Sequence, residues 1–354
     1  MTPAPQLVYL AFGAETYQRE AVFSIVSALA HSSSPVETRT FEIQVFTDSP
    51  MFYKQLPVRI RPIEPGWDGP HQYHFRIKHA ALQAVLREHG KAVLIDTDTF
   101  FRVSPERLFE RVVSGSLVCN AIGAEIGQSP ELPDKLLDYM ERHDLADPAL
   151  RQTNSGVIGM VDADTSVLDR SIMLMDELRP LVPNLYTLEE FSLALAAHGK
   201  LQLISCTDII HHYWSRKAQF RAKIEAWYAK HHQAPLSPDA IQDSLLVNDR
   251  LPRPPQPVRS IQKLLTAATD RNRRQFLREI LYGCHAYPNE FDRACSAVWW
   301  DKALANVEER RSTPLSLAEL DSWLASPIMK LLAGNHYAAM REHLLRRLKA
   351  HHSL

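Results

Sequence analysis

This 354-residue sequence has no uncharged apolar run approaching the ~18 residues that a membrane-spanning helix needs. Its start lacks a basic cluster, and the apolar run Leu7 to Phe12 is too short for a secretion signal, so a soluble, cytoplasmic chain is expected. Only four cysteines are present, Cys119, Cys206, Cys284 and Cys295, and none stand in Cys-x-x-Cys spacing. A zinc knuckle or thioredoxin-like centre is excluded on that spacing, which leaves reduced thiols. Neither charge is in excess: Lys+Arg number 40 and Asp+Glu 41, a formal net charge of −1. A global basic surface is therefore missing, and no nucleic-acid partner is expected. Glycine is scarce, at 12 residues, which excludes collagen-like and glycine-linker chains; the 23 prolines suit helices with firm stops.

What remains is an ordinary globular composition, 45% hydrophobic and 23% charged, on a chain long enough for one large domain or two. Leu7 to Phe12, closed by Gly13, reads as a buried strand. Gln18 to Ala30 reads as a helix with Val22, Ile25, Val26 and Leu29 on one face, and Phe41 to Thr47 as a second strand. Phe75 to Arg87 reads as a helix with the apolar stripe Ile77, Ala81, Leu82, Val85 and Leu86, stopped at Gly90. Ala92 to Ile95 is too apolar to alternate and should be a central strand covered on both faces. Strand–helix alternation of this kind is the α/β rhythm. Further strands are expected at Ser116 to Ala121, Gly156 to Val161 and Leu201 to Ser205, and Thr187 with Glu190 resembles a capping box before a helix. Beyond about residue 225 prolines crowd the chain, and from Ile261 onward the patterns are helical. Residues 1–225 are thus expected as an α/β domain, 226–260 as a Pro-rich linker or arm, and 261–354 as a mostly helical C-terminal region.

The sharpest chemical feature is Asp96-Thr97-Asp98, directly after four apolar residues. Open α/β sheets bind ligands at strand ends of this kind, and strand alternation would point both carboxylates the same way. Paired hard oxygens suit Mn²⁺ or Mg²⁺, and placing charge there for nothing would be costly. The second acidic pair, Asp162 and Asp164, precedes a helix and reads as its cap. Asn154-Ser155-Gly156 is a polar turn whose glycine permits an unusual backbone angle or a close approach. The segment His211-His212-Tyr213-Trp214-Ser215-Arg216-Lys217 offers imidazole and ammonium groups that could complete a metal–phosphate site. Arg76 and Lys78, two apart, cannot share a face of a regular helix, so either one reaches a phosphate while the other is solvated, or one lies just before the helix. His71, His74 and His79 read as loop and surface residues, and Trp299, Trp300 and Trp323 as core packing.

Taken in order, these segments resemble the A-type nucleotide-diphosphosugar glycosyltransferases, nearest to the bacterial glycosyltransferase family 8, over about residues 7–217. The resemblance implies a single Rossmann-like nucleotide-sugar-binding domain with a mixed central sheet. It implies a metal-dependent hexosyltransferase that uses Mn²⁺ or Mg²⁺ and a nucleotide-sugar donor, a UDP-sugar by preference, with retention of configuration. Residue by residue, Asp98 would bind metal and Asp96 metal or the ribose. His212, which has the family's following Tyr, or His211, which has the family's spacing to Lys217, would be the late metal ligand. Lys217 would neutralise the β-phosphate. Ala11 and Phe12 would frame the base, and Thr47 and Asp48 the nucleoside. Arg76 would contact the donor, with Lys78 and Thr97 beside it, and Asn154 and Ser155 would line the sugar and acceptor pocket. The chain departs from the family at Glu189-Glu190, where Asp-Gln is usual, and at Trp214-Ser215, where a Gly-Pro is usual. Glu190 could serve as a general base in an inverting reaction.

Two other readings stay open. Asp96-Thr97-Asp98-Thr99 also fits the nucleophile motif of a HAD-type phosphatase, and a non-catalytic interaction protein is the third reading. The acceptor is open among a saccharide, a lipid-linked saccharide and a small molecule. Tyr337 to Ala350 places Met340, Leu344, Leu345 and Leu348 near one helix face among basic residues, which suits peripheral contact with the inner membrane face. Packing of that helix on the protein body is the alternative.

Overall fold

Residues 6–11 and 91–95, apolar on both faces, become the adjacent central strands of a mixed sheet, as continuous apolar runs require. The computed structural model describes residues 3–33, 39–126, 132–267, 269, 271–311 and 313–351. In chain order the strands are β1 (Gln6–Ala11), β2 (Glu42–Thr47), β3 (Arg59–Arg61), β4 (Lys91–Ile95), β5 (Thr99–Phe101), β6 (Ser116–Glu125), β7 (Arg151–Val161), β8 (Gln202–Ser205) and β9 (Ile210–His212). Seven lie side by side in the order β3-β2-β1-β4-β7-β6-β8, while β5 and β9 form a separate antiparallel pair. β1 to β4 are parallel, β7 runs antiparallel to β4 and β6 to β7, and β8 is parallel to β6. The chain leaves β1 toward β2 on one side and returns to β4 on the other. The carboxyl ends of β1 and β4 therefore flank a topological switch point, the usual crevice for a ligand.

The chain divides into two compact units: Met1–Trp214 with His232–Ser244, and Ser215–His231 with Leu245–Leu354. In the first, the helices are α1 (Glu15–His31), α2 (Arg76–His89), α3 (Glu106–Arg111), α4 (Asp134–Arg142), α5 (Ser166–Leu178) and α6 (Leu188–Ala197). α1 is buried on nearly every side from Glu20 to Ala28, not along the single stripe its sequence suggested. Its inner polar groups are satisfied across the core: Ser24 Oγ shares hydrogen bonds with Tyr9 Oη and Thr99 Oγ1. α2 keeps the expected apolar stripe and stops at Gly90, whose φ of 77° favours glycine. The expected caps are replaced by other contacts. Asp162–Asp164 form a short 3₁₀ turn, and Asp164 accepts the Gly115 amide instead of capping α5. Thr187 makes no side-chain cap on α6, because Glu190 turns toward the sheet.

The second unit is helical. It contains α7 (Lys217–His231) and, after α8 (Pro238–Ser244) of the first unit, α9 (Gln256–Leu265), α10 (Arg271–Gly283), α11 (Glu290–Arg293), α12 (Ser296–Glu308), α13 (Leu317–Leu324), α14 (Pro327–Ala333) and α15 (Tyr337–His351). Lys223 of α7, fully buried, pairs with Asp292 at 2.7 Å and donates to the carbonyls of Asn248 and Arg250, tethering part of the Pro-rich stretch. Trp299, Trp300 and Trp323 are core residues. Met340, Leu344 and Leu348 are fully buried against Phe276, Ile280 and Trp300 in one core. The C-terminal helix therefore packs on the body; its apolar face is not open to a membrane, which corrects the membrane expectation for that helix. Among the described residues no helix is long and apolar enough to cross a membrane.

Candidate functional site

The β4 strand ends at Ile95, one residue before the acidic pair, so alternation does not aim Asp96 and Asp98. A bend does. The Asp96 amide donates to the Gly156 carbonyl of β7 at 2.9 Å, and Thr99 Oγ1 donates to the Asp96 carbonyl at 2.8 Å. β5 then pairs with β9 in the register Thr99↔His212, and the Tyr213 amide donates to the Asp98 carbonyl at 3.1 Å. This short pairing carries His212 back across the chain to the carboxylates. His212 Nε2 lies 3.2 Å from Asp98 Oδ1 and 4.0 Å from Asp96 Oδ2. One ligand atom from each of Asp96, Asp98 and His212 fits within a 4.8 Å span.

Neighbouring strand residues point oppositely, and β9 separates the two histidines accordingly. His211 packs on the Phe100 ring, and its Nδ1 accepts from Arg102 Nη2 at 2.9 Å. It stands apart from the Asp96–Asp98–His212 group. The His212 ring sits where only glycine leaves room: a Cβ on Gly156 would fall 2.2 Å from His212 Nδ1. The close approach anticipated at Gly156 is thus made by an imidazole.

Asn154 sets the tautomer. Its Nδ2 donates to Glu190 Oε1 at 3.0 Å, so its Oδ1 faces His212 Nδ1 at 2.8 Å and accepts from it. In the neutral ring Nε2 then presents a lone pair to Asp98 Oδ1. Two electron-rich atoms that close need a cation or a proton between them. Two carboxylates and an imidazole oriented by an amide form a donor set suited to Mn²⁺ or a similar divalent ion.

Behind this group lies a buried charge network. Lys78 Nζ is 2.7 Å from Asp96 Oδ1 and 3.8 Å from Glu189 Oε2. Burial alone would lower the Lys78 pKa; Asp96 and Glu189 outweigh it and hold the ammonium charged. Glu189 also accepts from Ser155 Oγ at 2.5 Å and pairs with His79 Nε2 at 2.7 Å. Burial pushes the Glu189 carboxyl up, but Lys78 and His79 hold it below the usual range. Asp96 is pushed up by burial and by Asp98, against the pull of Lys78. Glu190 has no cation of its own. Burial and the neighbouring Glu189 raise it to about 7, despite the Ser155 amide at 3.1 Å.

At the ends of β1 and β2, Asp48 braces the turn after β1. Its Oδ2 accepts from the Gly13 amide at 2.8 Å and its Oδ1 from Gln18 Nε2 at 3.0 Å. Gln18, read from the sequence only as the start of a helix, also donates to the Ala11 carbonyl and accepts from Thr47 and Tyr53. Ala11, Phe12, Thr47 and Asp48 thus stand together at the carboxyl ends of β1 and β2, which run in register.

Three placements depart from the sequence reading. Lys78, not Arg76, is the cation facing Asp96, and it is not solvated. Arg76 is held by Asp176 at 2.8 Å and by the Trp67 carbonyl. His79, read as surface, is fully buried on Glu189. Thr97 is half-buried between the two aspartates. Lys217 opens α7 in the helical unit, where it lines a cavity of about 880 Å³ together with Arg216, Arg250, Arg253 and Lys302. The signal missed for His79 and Glu189 was charge at positions that a helix pattern already placed inside. Lys78 and His79 sit between Ile77 and Ala81 on α2.

No protein-family model matches this sequence, and no curated protein is similar to it. Among solved structures it is similar to the apo form of mouse xyloside xylosyltransferase 1, at 15% identity over 58% of this chain and 85% of that one, with a TM-score of 0.39. It is also similar to the apo bifunctional glycosyltransferase WbbM, at 13% identity over 58% of this chain and 39% of that one, with a TM-score of 0.38. The glycosyltransferase GlyE of Streptococcus pneumoniae matches at 11% identity over 65% of this chain and 50% of that one, with a TM-score of 0.36. The chain spans half or less of the length of the last two.

Proposed function

We propose that this protein is a metal-dependent glycosyltransferase, moving a hexose from a nucleotide-diphosphate sugar, a UDP-sugar by preference, to an acceptor. The observation that carries the reading is the convergence of Asp96, Asp98 and His212 at the carboxyl ends of the central parallel strands. When bound, a divalent ion would supply positive charge to the departing diphosphate. The chain's own residues do the rest. Ala11, Phe12, Thr47 and Asp48 shape the floor for base and ribose. Asn154 keeps the His212 proton on Nδ1 and so leaves Nε2 free for a cation. Lys78 holds Asp96 in place by two contacts of 2.7 and 2.9 Å, one to each carboxylate oxygen. Lys217 is assigned to the β-phosphate, where a cation is worth about 10²-fold in rate.

Retention of configuration follows the family resemblance, with Asn154 and Ser155 lining the sugar and acceptor pocket. One observation favours an inverting alternative: a carboxyl raised to about 7 is matched to taking the acceptor's proton near neutral pH. NMR of the product's anomeric configuration separates the two. The phosphatase reading is less supported, because the third side chain within ligand distance of Asp96 and Asp98 is the His212 imidazole.

The test is hydrolysis and transfer with UDP-, GDP- and TDP-sugars in Mn²⁺. Turnover of one donor, lost in EDTA and restored by Mn²⁺, is the expected result. Turnover of phosphate esters in Mg²⁺ with none on any sugar donor would overturn the assignment.

A further inference from the structure

The helix α9 is the most amphipathic exposed surface in the helical unit, and none of its residues is buried. Ile261, Leu264 and Leu265 are 59%, 75% and 52% exposed, high values for large apolar side chains. At 100° per residue, Val258, Ile261, Leu264 and Leu265 fall within an arc of about 120°. Arg259 and Lys263 lie on the opposite side of the same wheel. Between Asp249 and Asp270 the charges along the chain have one sign. From Arg250 to Thr269 the sequence carries Arg250, Arg253, Arg259 and Lys263 and no Asp or Glu. Arg250 and Arg253 also line the unit's cavity, together with Arg216, Lys217 and Lys302.

We propose that α9 is an interfacial helix that seats this unit on an anionic lipid bilayer. The apolar arc enters the boundary between headgroups and acyl chains, and the cations of the polar face and of the stretch leading into the helix draw it to the lipid phosphates. Charge complementarity selects a lipid surface over an apolar protein groove: one stretch without acids carries four cations beside a short apolar face. The C-terminal helix cannot take this role, because its apolar residues are consumed in the core. The proposal does not depend on the transferase reading and is tested without turnover.

The experiment is sedimentation of the full chain with vesicles of phosphatidylcholine alone or mixed with phosphatidylglycerol. The wild type is expected to sediment with the mixed vesicles, less with phosphatidylcholine, and less again in high salt. The double variant Ile261→Asp/Leu264→Asp should lose at least about tenfold in partitioning, with its circular dichroism unchanged because both positions are exposed. Arg259→Glu/Lys263→Glu should lose the preference for phosphatidylglycerol, and Arg346→Ala on α15 should change nothing. A wild type that stays in the supernatant, or an Ile261→Asp/Leu264→Asp chain that sediments equally well, would overturn the proposal. So would a wild-type dimer that the same double variant dissociates, since the face would then cover a second copy.

Discussion

Replacing Gly156 by alanine tests whether the His212 ring position matters to the site. The added Cβ would lie 2.2 Å from His212 Nδ1, 2.5 Å from Cε1 and 2.8 Å from Cγ. Ordinary van der Waals contact begins at 3.4 Å, so the ring must retreat by about 1.2 Å (3.4 − 2.2). It cannot do so while keeping its 2.8 Å hydrogen bond to Asn154. A displacement of about 1 Å at reacting groups costs about 10²-fold in rate, and loss of a ligand's orienting partner costs about 10–100-fold in metal affinity. Gly156→Ala should therefore weaken Mn²⁺ binding by about 10–100-fold in calorimetry and lower donor turnover about 10²-fold, with the fold retained. Gly159→Ala, three positions along β7, is the control. Its Cβ would meet Val112 at 3.0 Å and Val93 at 3.1 Å, in the core and away from His212. That change should cost about 1–3 kcal/mol of stability and leave Mn²⁺ affinity alone. If Gly156→Ala binds Mn²⁺ as tightly as the wild type, the reasoning from ring position to metal is wrong.

Four further outcomes are expected. Asp98→Asn should remove Mn²⁺ binding and sugar-donor turnover together; turnover that survives with metal binding lost would refute the metal role. Lys78→Met leaves Asp96 and Glu189 buried without their cation and should cost about 3–5 kcal/mol in urea unfolding, a result contradicted by wild-type stability. Lys217→Ala should lower kcat about 10²-fold with a modest change in donor KM; an unchanged kcat would remove Lys217 from the reaction. If Glu190 is a base, kcat/KM should rise with pH through about 7 and the limb should flatten in Glu190→Gln. The stability sign is the reverse: the native state holds this proton more tightly than the unfolded chain, so the contribution is full below about 4.5 and is lost as pH rises through about 7.

The central strands were legible because continuous apolar runs at 7–11 and 92–95 leave few alternatives, and Asp96 with Asp98 stood out for ending such a run. The short strands β3, β5 and β9 were not, since three residues show no period. Missing β9 hid the choice between His211 and His212, which depends on the register with β5. The caps failed for a shared reason. Asp164 and Glu190 match local capping patterns, but each found a partner distant in sequence, the Gly115 amide and the Asn154–Ser155 segment respectively. Local propensity is a weak guide where tertiary partners compete for the same oxygen. Core packing of Met340, Leu344 and Leu348 was one of two open readings, because an amphipathic face looks the same in sequence whether it meets a core or a membrane.

Charge balance ties these residues into one device. Asp96, Asp98, Glu189 and Glu190 bring four carboxylates to the end of β4 and the start of α6, and among the described residues the ammonium paired with them is Lys78. The sequence divides that load unevenly. Glu189 has the buried partners Lys78, His79 and Ser155, so it stays ionised and acts as the anchor of the network. Glu190, one residue on, accepts from the Asn154 side-chain amide and the Ser155 backbone N–H, and Asp96 adds to the repulsion on it. A cation beside Asp96 and Asp98 would remove part of that repulsion and favour the ionised Glu190. Through Asn154, Glu190 is also one side chain away from His212. The carboxyl with the softest proton is therefore the one coupled, by charge and by hydrogen bond, to the group that would bind the metal. A charged cluster built only to hold the fold would have no need for that asymmetry between adjacent glutamates.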